Sequence, residues 1–135
     1  NDVHAKFIES DILSICDSTR TLSLPKYDTE SKFDIIVSNP PYVRNSEKQY
    51  MKPNVLNYEP ELALYVNDKN PLQFYKAIAK FAVNNLNNKG KLYFEINQYL
   101  GSKMKQLLSQ YGFSNIELKK DMFGNDRMIK CVLIK

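Results

Sequence analysis

The chain reads as an α/β domain built on a largely parallel sheet, and three observations predict it. β-branched runs alternate with amphipathic stretches of helical period. The run Phe33-Asp34-Ile35-Ile36-Val37-Ser38 is apolar almost without interruption, as in a parallel strand buried on both faces. The last two β-rich runs, 116–120 and 128–134, are joined by a short connection and so pair antiparallel.

Each element follows from local pattern. Residues 5–9 (Ala-Lys-Phe-Ile-Glu) read as a short strand ending at Ser10-Asp11. Residues 14–32 are polar and irregular, a loop with at most one helical turn. The 33–38 strand stops at Asn39-Pro40-Pro41-Tyr42, because proline cannot donate to a sheet ladder. Residues 43–70 form a long connection rich in Asn, Pro and Tyr, and a connection of that length in a small domain is usually functional. Asn70-Pro71 opens a helix with proline at its favoured first position. Its apolar stripe is Leu72, Tyr75, Ile78, Ala79, Ala82, Val83 and Leu86. Asn87-Asn88-Lys89-Gly90 predicts a turn, and 91–96 a strand. A second helix over 100–111 carries Met104, Leu107, Leu108 and Tyr111 inward and stops at Gly112.

Composition narrows the function classes. The 135 residues are 43% hydrophobic and 25% charged, enough apolar material for one core. No stretch approaches the ~18 apolar residues of a membrane span. The N-terminus carries no apolar leader pattern. Cys16 and Cys131 stand far apart without neighbouring ligands, which predicts reduced thiols in a cytoplasmic protein and no metal site. The formal charge of +4 is mild and fits a solvated surface. The chain does not begin with Met, as in a piece of a longer protein.

One motif carries chemistry. Asn39-Pro40-Pro41-Tyr42 follows the buried strand, and in open α/β sheets ligands bind beyond the carboxyl ends of the strands. Asn39 and Pro40 both precede a proline and are pushed towards extended dihedrals. The two rings stiffen the loop. A stiff loop can aim the Asn39 side-chain oxygen and the Pro40 carbonyl the same way. Two convergent acceptors suit a planar NH₂ group with its two donors. Tyr42 offers a ring face on which a flat amide or base can lie.

This tetrapeptide resembles the substrate motif of S-adenosylmethionine-dependent amino methyltransferases. Further segments are similar to the PrmC/HemK protein-(glutamine-N5) methyltransferases in particular. Tyr58-Glu59-Pro60-Glu61-Leu62-Ala63-Leu64 resembles their Glu-Pro-x-x-Ala-Leu segment. Phe94-Glu95-Ile96 resembles their strand ending in glutamate. Asp121 with Gly124, Asn125, Asp126 and Arg127 resembles their closing turn, and Ser10-Asp11-Ile12-Leu13 their acidic adenine-site turn.

The resemblance implies a class I, Rossmann-like methyltransferase sheet, mostly parallel with an antiparallel C-terminal strand. It implies methyl transfer to the amide nitrogen of the glutamine in the Gly-Gly-Gln motif of peptide chain release factors. Asn39 and Pro40 would be catalytic. Pro41, Tyr42 and Glu59 would complete the substrate site. Asp11, Ile12 and Asn39 would contact the cofactor, S-adenosylmethionine. Release factors are the implied partners, with neither membrane nor nucleic acid engaged directly.

The four glycines are well separated, so the Gly-x-Gly loop of such enzymes is missing. The first two strands of the sheet are accordingly expected upstream. The 135 residues are then the C-terminal portion of one catalytic domain, inactive alone and prone to self-association through an open strand edge. Two other readings compete: an N6-adenine methyltransferase of RNA or DNA, whose target NH₂ fits the same acceptors, and a truncated binding module without catalysis.

Overall fold

The computed structural model describes residues 5–15, 32–51 and 60–135. In chain order these form helix α1 (Ile12–Ile15), strand β1 (Phe33–Ser38), strand β2 (Val43–Arg44) and a 3-10 helix (Asn45–Tyr50). Helix α2 (Glu61–Leu64), strand β3 (Tyr65–Val66), helix α3 (Gln73–Asn85) and strand β4 (Leu86–Glu95) follow. Helix α4 (Gly101–Gln110) and strands β5 (Phe113–Lys120) and β6 (Asp126–Leu133) complete them.

The main sheet has the order β1-β4-β6-β5. β1 pairs parallel with β4, with Ser38 opposite Phe94. β6 lies between β4 and β5, antiparallel to both. Strands β1, β4 and β5 therefore share one direction and the last strand alone is reversed, as the sequence predicts for a largely parallel sheet with an antiparallel C-terminal strand.

Alternation along the strands assigns the faces. Leu92 and Phe94 of β4 and Ile129, Cys131 and Leu133 of β6 are buried. Against them pack Tyr75, Ile78, Ala79 and Ala82 of α3 and Met104, Leu107 and Leu108 of α4. The stripes read from helical period are thus the buried faces. Tyr111 donates its N–H to the Leu107 carbonyl at 3.1 Å, and Gly112 follows with φ +83°, the left-handed stop a glycine allows. Burial pushes the Cys131 thiol up to about 12, so it stays protonated and inert in the core.

Four expectations are corrected. Residues 5–9 form no strand: a strand exists through its ladder, and no described residue pairs with them. Pro71 sits in the turn before α3, whose first residue is Gln73. The 87–90 turn lies inside β4 as a bulge: Phe33 pairs with Leu86 and Ile35 with Lys91, so residues 87–90 stand opposite Asp34 alone, with Lys89 at a left-handed φ of 62°. The 43–70 connection is not structureless: β2 and β3 pair parallel within it, Val43 opposite Tyr65 and Arg44 opposite Val66.

Candidate active site

The site lies at the carboxyl ends of β1 and β4. β1 delivers Asn39 there, because Pro40 and Pro41 end its ladder. Asn39 is exposed and Pro40 buried. Among the described residues nothing hydrogen-bonds the Asn39 side chain, so its oxygen and NH₂ remain available at the mouth of a groove of about 640 Å³. Val37, Glu95, Met128 and Lys130 line the same groove. The two prolines face a second groove of about 330 Å³, shared with Ile12, Phe74 and Phe81.

Tyr42 is anchored rather than free. Its hydroxyl donates to Glu95 Oε1 at 2.6 Å. Burial first, and then the Glu95 carboxylate, push the phenol up to about 12. Tyr42 is therefore neutral at physiological pH and serves as a donor, not as a base. Glu95 is itself held from behind: Tyr75 donates its hydroxyl to the Glu95 carbonyl at 3.2 Å. Arg127, which lines a groove with Tyr42, pairs with Asp121 at 3.3 Å. The Asp121 carboxylate also accepts the N–H groups of Phe123 and Asn125, which closes the β5–β6 turn. Those bonds, Asn125 foremost, hold its carboxyl below the usual range.

The remaining expected site residues divide. Asp11 caps α1, its carboxylate accepting from the Leu13 N–H at 2.9 Å and the Ser14 hydroxyl at 2.7 Å. Ile12 packs against the core at the margin of α3, beside the prolines. Glu59 lies outside the described residues.

Three residues escape sequence reasoning. Glu47 reaches back to the Arg44 N–H at 2.9 Å, one half of a capping-box pattern, and takes the Arg44 guanidinium at 3.0 Å. Asn97 donates to Glu47 Oε2 at 2.8 Å and to the Tyr42 carbonyl at 3.0 Å. Burial alone would raise the Glu47 carboxyl, but the bonds from Arg44 and Asn97 outweigh it and hold it below the ordinary range. No sequence signal joins positions fifty residues apart. Only Arg44-x-x-Glu47, as an i,i+3 pair, was there to be noticed.

Comparison with known proteins gives the chain a family. Residues 4–128 match the family model described as Eco57I restriction-modification methylase. A methyltransferase from Pyrococcus furiosus shares the fold, with a TM-score of 0.51 at 20% identity over 78% of this chain and 43% of that one. The sheet order and the strand-end motif thus define part of a class I methyltransferase domain. A release factor glutamine methyltransferase of Flavobacterium psychrophilum is 53% identical over 130 residues, which is 96% of this chain and 42% of the relative. That of Bacteroides thetaiotaomicron is 48% identical over 99 residues, 73% of this chain and 36% of the relative. The chain belongs to this methylase family and is similar over most of its length to the release factor glutamine methyltransferases. It spans about two-fifths of the length of these relatives.

Proposed function

We propose that the full protein transfers a methyl group from S-adenosylmethionine to the side-chain amide nitrogen of the glutamine in the Gly-Gly-Gln motif of peptide chain release factors. This chain supplies the acceptor-holding part of the catalytic domain. One observation carries the reading: Asn39 stands exposed and unspent at the carboxyl end of a parallel strand, on a proline-stiffened loop whose far end is tied to the neighbouring strand. The names of the relatives favour glutamine as the acceptor.

The residues present fit the cofactor. A carboxylate offers about four lone-pair sites, so Asp11, besides capping α1, has the chemistry to accept from an adenine amino group. Ile12 supplies an apolar wall in the groove it shares with Pro40 and Pro41, where a flat base can lie. Asn39 closes the site towards the acceptor. When bound, the cofactor supplies an electrophilic methyl group.

The chain's own part is orientation. An amide nitrogen is a poor nucleophile because its lone pair is delocalised into the carbonyl. The Asn39 oxygen and the Pro40 carbonyl accept its two N–H groups, fix its direction and favour the positive charge that builds on it. The new N–CH₃ bond replaces the cofactor's S–CH₃ bond and the extra proton leaves the nitrogen afterwards, so no strong base is required before attack, and the neutral Tyr42 provides none. The chain alone lacks the rest of this machinery and is expected to be inactive. We place the protein in the cytoplasm with its acceptor; among the described residues no helix is long and apolar enough to cross a membrane.

The description of the matching family favours a second reading, methyl transfer to an adenine NH₂ of nucleic acid by the same clamp. Labelled methyl transfer by the full-length protein separates the two. Label on a release factor, abolished when the Gly-Gly-Gln glutamine is changed, is the expected result. Asn39→Ala should cut that rate roughly 100-fold, the scale of losing one key polar contact. Label on RNA or DNA alone would overturn the glutamine assignment.

A further inference from the structure

We propose that Asn97 is a positioning residue that sets the geometry of the Asn39–Tyr42 clamp, an inference that rests on reading this tetrapeptide as the acceptor site. Asn97 is the one polar side chain buried among the described residues, 5% exposed. A buried amide is tolerated only when its donors and acceptor are satisfied. Here all are used. The NH₂ group donates to the Tyr42 carbonyl and to Glu47 Oε2, and the oxygen accepts the Tyr99 N–H at 2.9 Å.

These partners explain what the residue does. The clamp leaves β1 at Ser38, whose ladder partner is Phe94. It ends at Tyr42, whose hydroxyl is held by Glu95 and whose carbonyl is held by Asn97. Both ends of a four-residue loop are thus fixed to one short stretch of chain, positions 94–97. The path between them, and so the direction of the Pro40 carbonyl and Asn39 side chain, follows from those two anchors. The Tyr99 N–H fixes which way the Asn97 amide faces. Reversed, it would turn an oxygen towards a carbonyl and a carboxylate. Through Glu47 the same amide reaches Arg44, whose guanidinium lies 5.6 Å from the Tyr99 ring. The loop after the clamp is thereby closed on the turn that carries Asn97. A buried supporting group of this kind keeps a contact group within the fraction of an ångström that orientation requires.

The test uses the full-length enzyme with Asn97→Ala, the near-isosteric Asn97→Asp, and Leu108→Ala as a control for lost stability, since Leu108 is fully buried in the α4 core. Asn97→Asp keeps the acceptor for Tyr99 but loses both donors. Both Asn97 variants should lower kcat for methyl transfer about 10- to 100-fold, with KM for the release factor within about threefold. Hydrogen exchange of the amides of residues 42–44 should accelerate at least about tenfold, while those of α4 stay unchanged. Leu108→Ala should show the opposite pattern: faster exchange in α4 and a kcat within about twofold of wild type. Should Asn97→Ala fail to fold, Asn97→Asp decides. A wild-type kcat in either Asn97 variant, or an equal fall in kcat for Leu108→Ala, would overturn the proposal. A wild-type enzyme that labels no release factor would instead refute the functional reading, and the exchange comparison would still decide whether Asn97 anchors the loop.

Discussion

Tyr42 shows how one residue acquires a role beyond its motif. Its ring was expected to offer a face, and the structure gives its hydroxyl a fixed partner in Glu95. Folding favours the neutral phenol, whose pKa rises from 10 to about 12. The sign follows by linkage: this contribution is complete below pH 10 and is lost as pH rises through about 12. Tyr42→Phe in the full-length enzyme should lower stability by about 1 kcal/mol at neutral pH, the usual net worth of such a bond. It should also reduce the loss of stability between pH 10 and 12, measured by urea unfolding across that range. An unchanged alkaline profile would assign that loss to other groups. At this scale the motif was legible because Asn, two prolines and Tyr in succession restrict the backbone and present acceptors by themselves. Glu95 was legible as a strand terminus. Asn97 and Glu47 were not, because their meaning lies in a hydrogen bond across fifty residues of chain.

Elements depend on whether their determinants are local. Helices α3 and α4 appear where the period-3.6 stripes put them, and Gly112 ends α4 with a positive φ as its type allows. The expected strand at 5–9 is absent, since alternation supplies a pattern but not a partner. The 43–70 connection hid a parallel β2–β3 pair that two residues per strand cannot announce. Gly101 marks a determinant of a different kind. A Cβ at this first residue of α4 would collide with the Asp126 carboxylate and come within 2.9 Å of Leu118 Cδ2. Alanine there would force the Asp126 carboxylate and the Leu118 side chain to turn away from the helix. Gly101→Ala should cost about 1–3 kcal/mol, the range for forced overpacking. Its measure is a shift in the urea midpoint of the full-length protein at constant slope, and an unshifted midpoint would count against the close approach.

At the scale of the molecule, the described residues bury one face of the sheet and leave much of the other uncovered. Ile35 is 54% exposed, Val37 74% and Met128 45%. All three lie on the side opposite Leu92 and Phe94. β1 is also an edge strand with no ladder partner on its outer side among the described residues. A β-rich edge beside bare apolar surface is a template for pairing with another chain. The 135-residue chain by itself should therefore self-associate. Light scattering at rising concentration should show growth in mass, and Val37→Lys should suppress it by charging the edge. A monomer at all concentrations would count against this.

The sequence by itself determined strand β1, helices α3 and α4, strands β4 to β6 and their directions, the helical faces that build the core, and the Asn39–Tyr42 motif with the family it resembles. These rest on local patterning, on proline and glycine backbone limits, and on residues adjacent in the chain. Only the tertiary structure decided that Tyr42 is tethered to Glu95, that Asn97 and Glu47 brace the loop behind it, and that residues 5–9 make no strand. Each of these depends on which distant partner a donor, an acceptor or a ladder finds, and a partner is a property of the folded chain.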